Sequence, residues 1–239
     1  MNIAIIGYGK MGHEIERAAK SRGINVVSVI DPNKPDAAHK ATNEASMKNV
    51  DVCIDFTGPD AVLGNIRQVS GFGKNIVVGT TGWHDKLDEA KGIIDSSNTG
   101  LIHASNFSIG VNVFFRIVEN AAKIMNNIED YDVFGYELHH GKKLDSPSGT
   151  AKSIEKILVS SIKRKKEVPF ASVRAGSIPG THVVGFDSSA DTIELKHTAR
   201  NREGFALGAI MAAEWIQNKK GFFSIDEMMD EIIGGNKNV

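Results

Sequence analysis

Cysteine is nearly absent. Cys53 is the single one among 239 residues, so a disulfide scaffold is excluded and a reducing compartment fits. An excess of one charge sign is also missing. Twenty-eight Lys and Arg stand against 29 Asp and Glu, a formal net charge of −1, which gives no general pull toward nucleic acid or anionic membranes. No apolar run approaches the roughly 20 residues of a membrane span. The start, Met1-Asn2-Ile3-Ala4-Ile5-Ile6-Gly7, has no basic leader, and its apolar run is far too short for a signal peptide. A cytoplasmic protein is therefore expected. No internal repeat or low-complexity tract appears. The remaining composition, 41% hydrophobic and 24% charged, is that of an ordinary globular chain long enough for one large or two modest domains.

What is present begins with a fingerprint. Ile3 to Ile6 reads as a short strand ending in Gly7-Tyr8-Gly9-Lys10-Met11-Gly12. A helical pattern follows to about Gly23, and Ile24 to Asp31 reads as a second strand closed by Pro32. Strand, Gly-x-Gly-x-x-Gly, helix, strand and a terminal acid are the parts of a dinucleotide site. Gly7 permits the turn, Gly9 lets backbone approach a pyrophosphate, and Gly12 lets helix close on strand. Asp31 is placed to accept hydrogen bonds from the adenine ribose.

The alternation of strand and helix continues through Val50–Phe56, Asn75–Val78 and Leu101–Ala104, which predicts a Rossmann-type, doubly wound parallel sheet of α/β class. Ligands on such sheets sit beyond the carboxyl ends of the strands. The loops at Phe56, at Gly79-Thr80-Thr81 and at Ala104-Ser105-Asn106-Phe107 fall there and suit a nicotinamide, although ordinary loop chemistry explains any one of them as well. After a long helix, about Ile109 to Ile128, the grammar changes. Strand-like segments at Tyr131–Leu138, Ser172–Arg174, Thr181–Phe186 and Thr192–His197, with a helix from Thr150, predict an α+β second domain with a mostly antiparallel sheet. Helices then return at Phe205–Gln217 and after Ser224, where Ser224 and Glu227 form a capping-box pattern. The basic run Lys163–Lys166 reads as a solvated helix C-terminus.

The densest chemistry lies in Glu137 to Ala151, which holds two imidazoles, two ammonium groups, carboxylates and a Ser-Gly-Thr turn. Along a strand His139 and His140 point to opposite faces, so they cannot share one task. Adjacent histidines are poor joint ligands and no His-x-x-x-His or Cys pair accompanies them, so no metal is expected. Ser148-Gly149-Thr150 opens a helix, where unpaired N–H groups and two hydroxyls suit a carboxylate or phosphate, or simply cap the helix. Lys142 and Lys143 are not separated by this reasoning.

The stretch Glu137-x-His139-His140-x-x-Lys143-x-Asp145-x-Pro147-Ser148-Gly149-Thr150-Ala151 resembles the 4-hydroxy-tetrahydrodipicolinate reductase (dihydrodipicolinate reductase) family of bacterial lysine and diaminopimelate biosynthesis. Gly7–Gly12, Gly79-Thr80-Thr81, Ala104–Ser108, Arg202 and Phe205-Ala206-x-Gly208-Ala209 carry the same resemblance in the family's order. It implies an NADH- or NADPH-dependent oxidoreductase acting on a small cyclic dicarboxylate. It also implies a homotetramer, with neither nucleic acid nor membrane as partner. His139 and Lys143 would form the acid/base pair. His140, Ser148, Gly149 and Thr150 would hold the substrate. Gly7, Tyr8, Gly9, Lys10, Met11, Gly12, Asp31, Phe56, Gly79, Thr80, Thr81, Ala104, Ser105, Asn106, Phe107 and Arg202 would hold the cofactor. Residues 1–108 and 203–239 would form the dinucleotide domain, and 109–202 the substrate and oligomerisation domain. Asp31 favours NADH, whereas nearby Lys34 suits a 2′-phosphate. A dianionic substrate should favour protonated His139 and Lys143, so activity should decline on the alkaline side. The rival readings are another two-domain nicotinamide-dependent dehydrogenase and a dinucleotide-sensing regulatory protein.

Overall fold

The computed structural model describes residues 1–234 and divides into two units, Met1–Ile109 with the chain from Arg202 onward, and Gly110–Asn201.

The first unit opens with β1 (Asn2–Ile6), α1 (Lys10–Ser21), β2 (Asn25–Ile30), β3 (Val52–Asp55), α2 (Val62–Gly71), β4 (Asn75–Val78), α3 (Leu87–Ser97) and β5 (Gly100–His103). The central strands are Val- and Ile-rich and buried at nearly every position, as strands covered on both faces must be. Every pairing is parallel, and the order closes with a sixth strand on β5. That strand is Gly221–Ser224, numbered β10, which sequence reasoning missed; it lies between α6 (Glu203–Ile216) and α7 (Ile225–Gly234). Half of the expected box forms at the start of α7: Glu227 Oε2 accepts from the Ser224 N–H at 2.7 Å and from Ser224 Oγ at 3.1 Å.

Helix α6 packs against the sheet through Ala206, Gly208, Ala209, Ala212 and Ala213. Its small residues have a reason: a Cβ on Gly208 would lie 1.7 Å from the Phe107 carbonyl oxygen. The buried Asn75 amide then fastens the helix end, donating to Ile216 O at 2.6 Å and Lys219 O at 3.0 Å and accepting from Gly100 N–H at 2.7 Å. Those carbonyls would otherwise be orphans of the last turn.

The second unit contains α4 (Ile109–Met125), β6 (Asp132–His139), α5 (Gly149–Ser161), β7 (Phe170–Arg174), β8 (Thr181–Asp187) and β9 (Thr192–Thr198). Its sheet runs β7-β6-β8-β9. The antiparallel expectation holds for β6–β8 and β8–β9, but β7 pairs parallel with β6. The reason is α5, which lies between β6 and β7 and acts as the crossover a parallel pair requires. Phe114, Val118 and Ala122 of α4 and Ile154 and Leu158 of α5 cover one sheet face through Val133, Val184 and Phe186. The basic run is not simply solvated. Arg164 donates to Met125 O and Asn126 O, each at 3.0 Å, and to Tyr131 O at 2.7 Å, closing the exit from α4.

Candidate active site

In the first unit the glycine turn behaves as its spacing requires. Gly7 has φ +90°, and a Cβ there would lie 2.5 Å from Phe56 O; one on Gly12 would lie 2.4 Å from Gly7 O. Gly9 is different, since among the described residues nothing stands within 4 Å of its Cβ position. Helix α1 starts at Gly9 with no side-chain cap and no acid in its first turn, leaving its N–H groups for an anion. A cavity of about 530 Å³ opens here, lined by Gly7, Gly9, Asp31, Lys34, Lys40 and Phe56 among others. Asp31 Oδ2 accepts from Tyr8 N–H and Oδ1 from Asn33 N–H, both at 2.8 Å. Burial opposes its charge, but those two donors together with Lys34 outweigh it and hold its pKa below the ordinary value. Each oxygen keeps a lone pair for a ribose hydroxyl. These features fit a dinucleotide.

The other expected cofactor residues divide. The Phe56 ring fills the space where a Gly79 Cβ would lie 2.1 Å away, and its centroid stands 6.3 Å from that of Phe107. Thr80 is buried and spends its hydroxyl internally, donating to Asp55 Oδ1 at 2.9 Å and accepting from Thr57 N–H at 2.8 Å. Ala104, Ser105 and Asn106 occupy the loop after β5, where Asn106 Oδ1 accepts from Ser108 N–H at 2.8 Å. Tyr8, Met11 and Gly12 belong to the turn and the first turn of α1. Lys10, Thr81 and Arg202 are exposed and outside the cavity lining, Arg202 at the N-cap of α6.

Sequence reasoning overlooked Asp55. Its carboxylate accepts from Thr57 N–H, Thr57 Oγ1, Asn65 Nδ2 and Thr80 Oγ1 at 2.7–2.9 Å, tying the ends of β3 and β4 together. Burial still raises its pKa against those four donors.

In the second unit the strand period sorts the central motif. Glu137 and His139 share the buried face of β6, while His140 follows the strand's last residue and is only half-buried. Register brings in residues from both neighbours: Glu137 pairs with His182 on β8 and Ser172 on β7, and His139 pairs with Arg174. Glu137 Oε1 accepts from Ser148 N–H (2.9 Å), Ser172 Oγ (2.8 Å) and Arg174 Nη2 (2.6 Å). Burial pushes this carboxyl up, yet the three donors pull it down to about 2. Its Oε2 lies 3.3 Å from His139 Nδ1 and 3.4 Å from His182 Nε2.

Both imidazoles are held neutral. Burial lowers the His139 pKa, with Glu137 opposing and Lys143 assisting. Burial, then His139, brings His182 to about 4. The ligand-type atoms of Glu137, His139 and His182 lie within 4.8 Å of one another, a compactness hidden from sequence because His182 arrives from β8. Arg174 already neutralises the carboxylate, so a further cation would meet a like charge.

Ser148 caps α5, its Oγ accepting from Ala151 N–H at 3.1 Å and touching His182 Nε2 at 3.2 Å. Gly149 is exposed and Thr150 half-buried in the turn that follows. The lysines now separate. Lys143 is half-buried, its Nζ 2.8 Å from Asp145 Oδ1, and Lys142 is exposed. The arrangement places a proton-bearing ring, an ammonium group and a helix N-terminus in one unit, chemistry suited to seating and protonating an anion.

Comparison with known proteins gives a consistent picture. Residues 1–107 match the family described as "Dihydrodipicolinate reductase, N-terminus", and 110–229 match "Dihydrodipicolinate reductase, C-terminus". A 4-hydroxy-tetrahydrodipicolinate reductase from Christiangramia forsetii is 40% identical, covering 97% of this chain and 99% of the relative. One from Archaeoglobus fulgidus is 34% identical, covering 96% and 100%. Among solved structures, a dipicolinate-bound dihydrodipicolinate reductase from Paenisporosarcina sp. TG-14 superposes with a TM-score of 0.81 at 23% identity, over 95% of this chain and 99% of that one.

Proposed function

The chain belongs to the dihydrodipicolinate reductase family, and on that premise we propose that its first unit holds the nicotinamide cofactor and its second unit holds and protonates the substrate. The reaction is NAD(P)H-dependent reduction of 4-hydroxy-tetrahydrodipicolinate to tetrahydrodipicolinate, consuming one hydride and one proton and releasing one water. It belongs to lysine and diaminopimelate biosynthesis. The bound nicotinamide supplies the hydride.

The chain's own residues do the rest. The Gly7–Gly12 turn and the free N–H groups of α1 hold the pyrophosphate, and Asp31 accepts from the adenine ribose. Phe56, Gly79, Thr80, Thr81, Ala104, Ser105, Asn106, Phe107 and Arg202 serve the remainder of the cofactor. His140, Ser148, Gly149 and Thr150 seat the substrate carboxylates, and Lys143 balances their charge. His139 gives its proton to the ring carbon next to the site of hydride delivery.

Burial favours the neutral form of His139. Two substrate carboxylates favour its charged form, at about 4 kcal/mol per contact near 4 Å and an effective dielectric of about 20, before desolvation. The observation that carries this reading is the buried His139 joined through Glu137 to the capped start of α5. Loss of nicotinamide absorbance with freshly generated dihydrodipicolinate synthase product tests it. Absence of turnover with nucleotide binding intact overturns it.

The buried free thiol of Cys53 suits a cytoplasmic setting. The sheet face turned away from α4 and α5 carries half-buried Tyr136 and Leu138 and the 45% exposed Val173, which suits assembly into a homotetramer through this sheet. Sedimentation measures that directly, and a monomer at working concentration refutes it.

A further inference from the structure

Glu137 is given no chemical step in the scheme above, yet its carboxylate collects three hydrogen bonds within the second unit's polar cluster. It is fully buried on the same strand face as His139, two residues away. Three donors occupy Oε1, while among the described residues Oε2 makes no hydrogen bond, and neither does His139 Nδ1 at 3.3 Å from it. Two buried polar atoms without partners are costly apart, and they satisfy one another by a small turn of the ring. Catalytic hydrogen bonds are commonly long before substrate binds and tighten afterwards.

The proton inventory fixes the direction. An ionised carboxylate can only accept, so the ring nitrogen facing it carries hydrogen. His139 is then the Nδ1–H tautomer when neutral, and Nε2 is the atom left to carry the transferable proton. An independent feature agrees. Gly180 has φ +149°, and a Cβ there would lie 3.1 Å from His139 Nε2. Glycine keeps that side of Nε2 open.

We infer that Glu137 is the positioning residue of the acid: it sets the tautomer and aim of His139 and, through Ser148 N–H, ties that ring to the helix turn that seats the substrate. The inference rests on His139 being the acid. His182, with Nε2 between Ser148 Oγ (3.2 Å) and Glu137 Oε2 (3.4 Å), braces the same carboxylate. The charged groups acting on the His139 ring are Glu137, Lys143, Arg174 and Asp145, with His182 edge-on at 5.2 Å between centroids.

The test uses Glu137→Gln, which keeps the shape and an acceptor for Ser148 but offers no charge to an imidazolium. The expected result is a fall in kcat of about 10²–10³-fold, little change in substrate KM, and an alkaline limb of kcat moved to lower pH. Wild-type kcat with an unmoved limb overturns the inference. His139→Ala, assayed alongside, separates the two levels. Full activity there removes the acid assignment itself, whereas an inactive His139→Ala beside a normal Glu137→Gln removes only the positioning role. Should Glu137→Gln not fold, ¹⁵N NMR of the wild-type ring decides: a protonated Nδ1 and bare Nε2 in neutral His139 support the inference, and the opposite tautomer overturns it.

Discussion

Acid should weaken the second unit in two separate steps, and His182 sets the first. The residue is 5% exposed, and burial, then His139, hold its pKa down to about 4 while Glu137 pulls the other way. In the unfolded chain the same ring takes up a proton near about 6.5. Between those values the unfolded state binds more protons, so stability falls as pH falls. It is intact above about 7, and the whole contribution is lost by about 4. The gap corresponds to about 3 kcal/mol, of which about 2 kcal/mol is gone by pH 5. His139 and His197 are also lowered by burial and add in the same direction.

Glu137 sets the second step. Its carboxyl is held at about 2 in the fold, so its stabilisation is present above an unfolded value of about 4.3 and lost as pH falls toward 2. Urea unfolding of the second unit at pH 7 and pH 5 isolates the first step. With a slope of about 2 kcal/mol per molar, the wild-type midpoint should drop by about 1 M between the two conditions. His182→Gln keeps an amide nitrogen near Ser148 but cannot titrate, and its midpoint should drop by less than half as much. Equal drops in both proteins refute the claim that a buried neutral His182 controls this window.

Other perturbations follow from the same geometry. Lys143→Ala should lower kcat about 10²–10⁴-fold, while Lys142→Ala, altering an exposed side chain, should stay within a few-fold; steady-state assays that reverse this order would reassign the lysines. Gly208→Ala places a Cβ 1.7 Å from Phe107 O and should cost the first unit about 1–3 kcal/mol or more, read as a lowered Tm, and an unchanged Tm would mean α6 does not sit this close to the β5 loop. Asp31 lines the cavity and its charge would repel a 2′-phosphate, so kcat/KM should favour NADH. A clear NADPH preference would show that Lys34 and Lys40, which line the same cavity, outweigh Asp31.

How far the sequence could be read depended on whether the relevant physics was local. Strands buried on both faces are continuous apolar runs, so β1, β3 and β4 announced themselves, and the glycine turn was legible because its steric needs lie within a few residues. The four-residue strand Gly221–Ser224 has no pattern of its own and exists because β5 offers it a parallel edge. Asp55 was concealed within an apolar run, its role visible only once Thr57, Asn65 and Thr80 converge on it. The parallel placement of β7 depends on α5 acting as a crossover, which the list of strands alone does not express.

The central motif shows where that boundary falls within one site. A period of two in β6 is enough to put Glu137 and His139 on one face and send His140 elsewhere, so the separation of the two histidines was written in their adjacency. What the spacing lacks is register. Ser172, Arg174 and His182 reach Glu137 because β7 and β8 happen to align those residues opposite β6, and a slip of one position on either strand would turn them to the other face. The proposed acid, His139, is placed locally, but the charge environment around it is assembled across three strands. Substitutions that shift strand register should therefore change the pH dependence of turnover before they disturb cofactor affinity, because the glycine turn and Asp31 draw on none of those pairings.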